Sequence, residues 1–322
     1  MTATKATREA ANRTATRSPN GQAAAYPVGR KKPTFNNPTG TVSELGQTVR
    51  SKDANTWWQA GGLGSSIPLP PTNYVQTRSA KLVQLAVNHA VRTGHITLVD
   101  GEFGVGKTTA VVEAARAQPT VDAIYVNMFG VTSPRDALAI IYRALTGEDL
   151  RKRVTAAQLR EDLTEHLKDR PVLIIADDAH RLRTPSLETL LALWNRVHND
   201  TRKGVSMVFV GNNLVKHLGA AIPELVSRSA LAISVDRLGS EGLVEFIEQL
   251  APGIAGTDPQ LLNEYNPRFL GQVRNWVQFF DTVAYLRGEA TLTSPISSQE
   301  ARKAYSLMAQ VVASTPSKGQ HR

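Results

Sequence analysis

Hydrophobic residues follow two alternating patterns from residue 78 onward. Short apolar runs predict strands at 95–100, 122–128, 171–177, 205–211 and 231–236. Apolar residues at helical spacing predict helices at 78–94, 107–117, 134–146, 156–168 and 184–198. The strands are apolar on both faces and separated by helices, which is typical of a parallel sheet covered on both sides. The pattern therefore predicts an α/β fold with a five-stranded parallel sheet.

The strand pattern stops after residue 238. Four helical segments follow, at 241–251, 259–265, 269–288 and 298–312. We interpret this layout as an α/β core at residues 72–237, a small helical lid at residues 238–314 and a short tail at residues 315–322.

The N-terminal part of the chain has a different composition. Residues 1–52 carry nine lysines and arginines against two glutamates, a net charge of +7 out of +9 for the chain, and show almost no apolar periodicity. Such a segment cannot bury enough surface to offset its ordering entropy, so we expect a disordered basic tail. Residues 53–71, which contain Trp57 and Trp58, are interpreted as a linker. The tail is either an arm that contacts nucleic-acid phosphates or a solvated segment without a specific partner.

Composition excludes several classes of protein. The chain has no cysteine, which excludes disulfides, thiol nucleophiles and cysteine–zinc sites. No run approaches the roughly 18 apolar residues of a membrane span, and the N-terminus lacks the apolar stretch of a secretory signal. We therefore expect a cytoplasmic protein without a membrane partner.

A phosphate-binding motif follows the first predicted strand. The sequence Gly101-Glu102-Phe103-Gly104-Val105-Gly106-Lys107-Thr108-Thr109 fits Gly-x-x-x-x-Gly-Lys-Ser/Thr. Glycines let several backbone N–H groups face one anion at a helix N-terminus. Lys107 would contact the β- and γ-phosphates, and the Thr108 hydroxyl would bind Mg²⁺. The glycine spacing does not fit the dinucleotide motif, so the sequence predicts a bound nucleoside triphosphate with Mg²⁺.

Two acidic residues end the third predicted strand. Asp177 and Asp178 follow an apolar run, roughly seventy residues after the phosphate loop. This separation along the sequence is typical of the second half of a phosphate-binding site. We therefore expect Asp177 to order Mg²⁺ and Asp178 to lie where a general base could orient the attacking water.

Over residues 70–290 this order of parts resembles the AAA+ ATPases, specifically the DNA-transposition regulators of the MuB, TniB and TnsC type. The resemblance implies a five-stranded sheet, a helical lid and ATP-dependent homo-oligomers, either rings or helical filaments. It also implies partners: duplex DNA, bound through its phosphate backbone without sequence preference, and a transposase or other recombination protein.

The resemblance assigns roles to three further positions. Asn212 matches the residue that senses the γ-phosphate, with Asn213 as the neighbouring possibility, and Arg274 matches the sensor arginine of the lid. Arg228 matches the arginine finger that reaches the ATP of the next subunit. Each arginine has a simpler interpretation as a surface ion pair. These ATPases most often have Glu where this chain has Asp178, and the shorter side chain predicts slow hydrolysis.

Basic residues at three places in the chain are candidates for DNA contact. They are Arg135, the cluster Arg151, Lys152 and Arg153, and the pair Arg202 and Lys203. Contacts to phosphates would give sequence-independent, salt-sensitive binding, although each of these residues, taken alone, is better explained as part of a solvated turn. MuB-type proteins carry an N-terminal helix-turn-helix, and this chain shows no such pattern.

Three functions remain open from the sequence. The first is an ATP-dependent DNA-binding ATPase that assembles on duplex DNA and regulates transposition through target selection or transposase recruitment. The second is a loader of a helicase or clamp. The third is a STAND-like signalling ATPase with a protein partner and no DNA.

Overall fold

The structure is a computed structural model that describes residues 74–150, 154–168, 171–201 and 204–313. Within these ranges the strands are β1 (Ile96–Asp100), β2 (Asp122–Asn127), β3 (Val172–Asp177), β4 (Val205–Gly211) and β5 (Ser229–Ser234). The helices are α1 (Arg78–Thr93), α2 (Lys107–Arg116), α3 (Pro134–Thr146), α4 (Ala156–Lys168), α5 (Thr184–Thr201), α6 (Leu214–Ala221), α7 (Pro223–Ser227), α8 (Ser240–Leu250), α9 (Pro259–Tyr265), α10 (Val273–Arg287) and α11 (Ser298–Ala313). The predicted N-terminal tail, linker and C-terminal tail lie outside the described residues.

The five strands form one parallel sheet in the order β2-β3-β4-β1-β5. The last residue of β1, Asp100, lies opposite Gly211 on β4 and Ser234 on β5. In the other half of the sheet, the last residue of β3, Asp177, lies opposite Asn127 on β2. All the carboxyl ends therefore meet at one edge, which is where parallel α/β sheets place their ligands.

Both faces of the sheet are covered, as the sequence predicted. Leu98 and Ile174 belong to a buried cluster formed with α3, α4 and α5. The adjacent residues Val99 and Ile175 point to the other face and belong to a second cluster with α1 and α2. Successive side chains of a strand point to opposite faces, so a strand buried on both must be apolar throughout. The predicted α/β fold is confirmed.

The edge strand β5 departs from the prediction. It spans Ser229–Ser234 rather than 231–236, and its side chains alternate between partly buried and exposed along its whole length. One face of this strand is left exposed, so the expectation that both faces are covered was wrong for β5.

Local sequence signals begin and end the helices near the sheet. The Ser133 side chain accepts a hydrogen bond from the Asp136 backbone N–H at the start of α3, and Pro134 occupies the first turn. Gly94 and Gly147 end α1 and α3 in the left-handed conformation, with φ of 71° and 76°.

The C-terminal helices have their own buried cluster. It includes α8, α9, α10 and α11 and is rich in aromatic rings, among them Tyr265, Phe269, Trp276 and Phe279. Val75, before α1, also belongs to it. The helical C-terminal part is thus confirmed, while the exact bounds of core and lid stay a prediction.

The helix predicted at 269–288 begins later, at Val273. Leu270 and Gly271 have φ of 55° and 61°, which breaks the helical path. A Cβ on Gly271 would lie 2.7 Å from the Leu238 carbonyl oxygen, so this close approach requires glycine. The turn packs the start of α10 against the segment that follows β5. Helices α6 and α7, too short for a clear period, were not predicted.

Candidate functional site

The phosphate-loop motif forms a tight loop between β1 and α2. Gly101, Gly104 and Gly106 have φ of 146°, 76° and 96°, values that residues with a side chain rarely adopt. At Gly101 there is also no room, because a Cβ would lie 2.4 Å from the Val235 carbonyl oxygen. The loop therefore depends on its glycines for both conformation and space.

Lys107 stands at the N-terminus of α2 and closes over the loop. Its Nζ donates a hydrogen bond to the Glu102 carbonyl oxygen at 2.6 Å and lies 5.9 Å from the centre of the Phe103 ring. Burial lowers the pKa of Lys107, and the charges of Asp177 and Asp100 oppose that shift. A partly desolvated ammonium group beside a helix N-terminus favours the binding of an anion.

The Asp177 carboxylate is the most buried charge of the site. It accepts hydrogen bonds from the Tyr125 hydroxyl at 2.7 Å, the Thr108 hydroxyl at 2.8 Å and the Asp178 backbone N–H at 2.9 Å. Only 6% of its surface is exposed, and burial raises its pKa. Among the described residues it has no ion-pair partner, so a cation at this position would stabilise its ionised form.

The donor set fits Mg²⁺ better than a transition metal. No group of three or more His, Cys, Asp or Glu side chains that could hold a metal occurs in the part of the chain that the structure describes. Magnesium is usually held by one or two carboxylates together with phosphate oxygens and water, whereas zinc takes three or four protein ligands. The single carboxylate of Asp177 with the adjacent Thr108 hydroxyl matches the first case.

Asp178 and Asn212 follow β3 and β4 at the same edge of the sheet. Asp178 has φ 56° and ψ 28°, a left-handed conformation that aspartate tolerates better than most residues. Asn212 is partly buried and its backbone N–H donates to Nδ1 of His180 at 3.3 Å. The neighbouring Asn213 is more exposed and also left-handed, with φ 50°.

Asp100 joins the phosphate loop to the segment after β4. Its carboxylate accepts from the backbone N–H groups of Gly101 at 2.7 Å, Leu214 at 2.9 Å and Val215 at 3.2 Å. It thereby caps the N-terminus of α6 from a distant point in the sequence. Sequence reasoning assigned Asp100 no role, because capping is recognisable only when the cap is adjacent to its helix.

The C-terminal helices touch the phosphate loop directly. The Arg274 backbone N–H donates to the Gly104 carbonyl oxygen at 2.9 Å, and the charge of Arg274 lowers the pKa of Lys107 further. The Arg274 side chain is exposed. Arg237, after β5, binds the Glu102 carboxylate through Nε at 3.0 Å. This second contact was missed, since nothing in the sequence pairs residues so far apart.

Arg228 lies at the opposite edge of the sheet. It directly precedes β5, and the amino ends of parallel strands are remote from the phosphate loop. Its guanidinium forms an ion pair with Glu224, with Nη2 3.0 Å from Oε1, and 44% of its side chain is exposed. The structure therefore does not bring Arg228 together with the other predicted site residues of its own chain.

A cleft of about 470 Å³ opens beside the phosphate loop. It is lined by the ends of β1, β4 and β5 and by the loop itself: Asp100, Gly101, Glu102, Val105, Asn212, Asn213, Ser234, Val235, Asp236 and Arg237. Its volume is in the range of small-molecule sites.

Of the candidate DNA-binding residues, Arg135 alone lies in the described ranges. Its Nε donates to the Val154 carbonyl oxygen at 2.8 Å, so it anchors the segment that precedes α4. The cluster 151–153 and the pair 202–203 lie outside the described residues. Among the helices that the structure describes, none is long and apolar enough to cross a membrane.

Comparison with known proteins identifies the core. Residues 90–218 match the family model of the AAA domain. The chain carries an AAA-type P-loop domain. A search of curated proteins found no match.

Solved structures share the fold at low sequence identity. The Cdc6p protein of Pyrobaculum aerophilum has a TM-score of 0.60 at 17% identity, covering 78% of this chain and 73% of that one. The ORC2 protein of Aeropyrum pernix in its ADPNP–ADP complexes has a TM-score of 0.56 at 21% identity, covering 76% and 70%. The ORC1 protein of Aeropyrum pernix in complex with DNA has a TM-score of 0.57 at 16% identity, covering 78% and 71%. At these identities the likeness concerns the fold.

Proposed function

We propose that this AAA-type domain binds ATP with Mg²⁺ and hydrolyses it. The observation that carries the proposal is the 2.8 Å hydrogen bond between the Thr108 hydroxyl and the Asp177 carboxylate, which are 69 residues apart. It joins the N-terminus of the phosphate-loop helix to a buried carboxylate that has no ion-pair partner among the described residues. In this proposal Lys107 and the N–H groups of residues 101–109 hold the phosphates, while Thr108 and Asp177 hold the metal ion.

Hydrolysis is assigned to the groups around that centre. Asp178 would orient the attacking water and Asn212 would bind near the γ-phosphate, because both follow strands that end at the same edge as the phosphate loop. Arg274 is supported in its sensor role by the contact of its backbone with Gly104. Magnesium, when bound, would neutralise charge on the phosphates.

We further propose that Arg228 acts on the ATP of a neighbouring copy. The six residues of β5 span about 20 Å at roughly 3.3 Å per residue, and they separate Arg228 from the phosphate-loop edge of its own subunit. An exposed ion pair such as Arg228–Glu224 contributes about 0–1 kcal/mol, so the guanidinium can leave it at little cost. Hydrolysis would then require a homo-oligomer, a ring or a helical filament.

The proposed partner is duplex DNA, bound through its phosphates. Support comes from the candidate basic residues of the sequence, from the +7 charge of residues 1–52 and from the shared fold with an ORC1 protein that was solved in complex with DNA. Arg135 would contribute by holding the segment before α4 in place, because its Nε donates to the Val154 carbonyl oxygen. Regulation of transposition, with a transposase or other recombination protein as partner, rests on the resemblance of the motifs.

Electron microscopy with a non-hydrolysable ATP analogue, with and without duplex DNA, tests this proposal. We expect nucleotide-dependent oligomers that extend along DNA, and none with Lys107→Ala. DNA affinity should fall steeply between low and moderate salt. Oligomers that are indifferent to DNA, or DNA affinity that does not change with salt, would contradict the DNA part while leaving ATP binding intact.

A further inference from the structure

His180 lies inside the proposed catalytic centre. It belongs to the 3₁₀ turn Ala179–Arg181 that directly follows β3 and Asp178. The ring is partly buried, and three parts of the site surround it: the phosphate loop, the turn after β3 and the end of β4. These contacts distinguish His180 from a solvent-exposed histidine without a structural role.

The first neighbour is the backbone of Asn212. Nδ1 of His180 accepts the Asn212 N–H at 3.3 Å, so the ring carries its proton on Nε2. The adjacent Gly211 leaves room for this contact: a Cβ there would lie 3.0 Å from Nδ1 and 3.2 Å from both Cβ and the backbone N of His180. The end of β4 therefore lies directly against the histidine.

The second neighbour is the phosphate loop. The Phe103 ring meets the His180 ring edge-on, with centroids 5.8 Å apart, and Phe103 also lies near Lys107. The imidazole thus bridges the loop that would hold the phosphates and the segment that carries Asn212. The charges of Asp178 and Lys107 both act on the imidazole.

We propose that His180 is a positioning residue for hydrolysis, which holds the Asn212 backbone and the Phe103 ring in register with Asp178. This inference rests on the proposed ATP hydrolysis. His180 itself contacts no nucleotide group in this scheme. Its loss should therefore lower the rate of the chemical step and leave nucleotide binding nearly unchanged, because Lys107, Thr108 and Asp177 keep their contacts.

Three substitutions separate positioning from simple packing. In His180→Asn the side-chain oxygen occupies nearly the place of Nδ1 and can still accept the Asn212 N–H. His180→Gln carries the same amide one methylene further out and cannot place its oxygen there without displacing the chain. His180→Ala removes the acceptor and the ring together. His166→Asn, at a surface histidine of α4 that contacts the Asp162 carbonyl of its own helix, is the matched control.

The experiment measures kcat and KM for ATP in the full chain, with thermal unfolding of each variant. We expect kcat to fall about tenfold or more in His180→Ala and His180→Gln, with KM within about twofold of wild type, since a small misplacement of a reacting group has effects of this order. His180→Asn should recover most of kcat, and His166→Asn should match wild type.

Two kinds of result overturn the inference, and they are distinguishable. If the wild type hydrolyses ATP and His180→Ala has a normal kcat, or if His180→Asn and His180→Gln lose the same fraction of kcat, His180 has no positioning role. If the wild type itself binds or hydrolyses no ATP, the proposed function fails and the inference fails with it.

Discussion

Replacing Asp177 by asparagine should stabilise the protein in the absence of nucleotide. The carboxylate is 6% exposed and has three hydrogen-bond donors but no ion-pair partner among the described residues. Asparagine keeps its oxygen on the Asp178 N–H, and its NH₂ group can donate to the hydroxyls of Tyr125 and Thr108, which are able to accept. The substitution therefore removes a buried charge while preserving the hydrogen bonds.

The direction follows from the raised pKa of Asp177. Because burial raises its folded-state pKa, the folded protein binds this proton more tightly than the unfolded chain does. The resulting stability is present at pH values below the ordinary pKa of aspartate and is lost as the pH rises through the folded-state pKa. Ionised Asp177 thus costs free energy at neutral pH. Relief of such functional-site strain commonly contributes about 1 kcal/mol, equivalent to roughly 3 °C in unfolding temperature for a domain of this size.

Magnesium and ATP should reverse this order of stability. A ligand at a hundred times its Kd stabilises the folded state by about 2.7 kcal/mol, and Asp177→Asn should lose most of that gain. Thermal unfolding in EDTA and in saturating Mg²⁺–ATP measures both effects, and repeating the EDTA series at lower pH should bring the two proteins together. A variant that is less stable than wild type in EDTA, or that gains as much from Mg²⁺–ATP, would refute the assignment.

Three further experiments test other parts of the account. Asp178→Glu should raise ATP turnover several-fold, because the longer side chain holds the attacking water more closely; an unchanged or lower rate in a steady-state assay would contradict the prediction that Asp178 slows hydrolysis. Arg228→Ala should bind ATP normally by calorimetry yet hydrolyse little, and mixing it with Asp178→Asn should restore part of the rate, as each copy supplies what the other lacks. No recovery on mixing, or a normal rate for Arg228→Ala alone, would contradict action in trans. Gly101→Ala should destabilise the fold by about 3 kcal/mol or more, since its Cβ would meet the Val235 carbonyl, whereas Gly106→Ala, with open space at φ 96°, should cost about 1–2 kcal/mol. Chemical denaturation compares the two, and equal losses would show that space at Gly101 is not limiting.

The sequence predicted the parts of the fold that depend on local pattern. Four strands and the helices between them have nearly the predicted bounds, because apolar runs and glycine or serine caps act over a few residues. The edge strand β5 was misplaced by two residues, since its bounds are set by its pairing with β1 rather than by a run of buried apolar residues. Helix α10 began at Val273 rather than 269, because Gly271 approaches Leu238 from a distant part of the chain.

Sequence reasoning found the part of the candidate site that a contiguous motif carries. It missed the contacts between residues that are far apart in the sequence. Spacing alone related Lys107 to Asp177. Three contacts depend on strand order and on how the chain turns after β5. They are the hydrogen bond of Tyr125 to the Asp177 carboxylate, that of Asp100 to the start of α6 and that of Arg237 to Glu102. A single sequence does not encode these contacts in any local pattern.

Calorimetric titration of ATP into the full chain with Mg²⁺ tests the central claim most directly. We expect saturable binding at one site per chain, lost in Lys107→Ala and weakened when EDTA removes the metal ion. Absence of binding in the folded wild type, or equal binding by Lys107→Ala, would contradict the account.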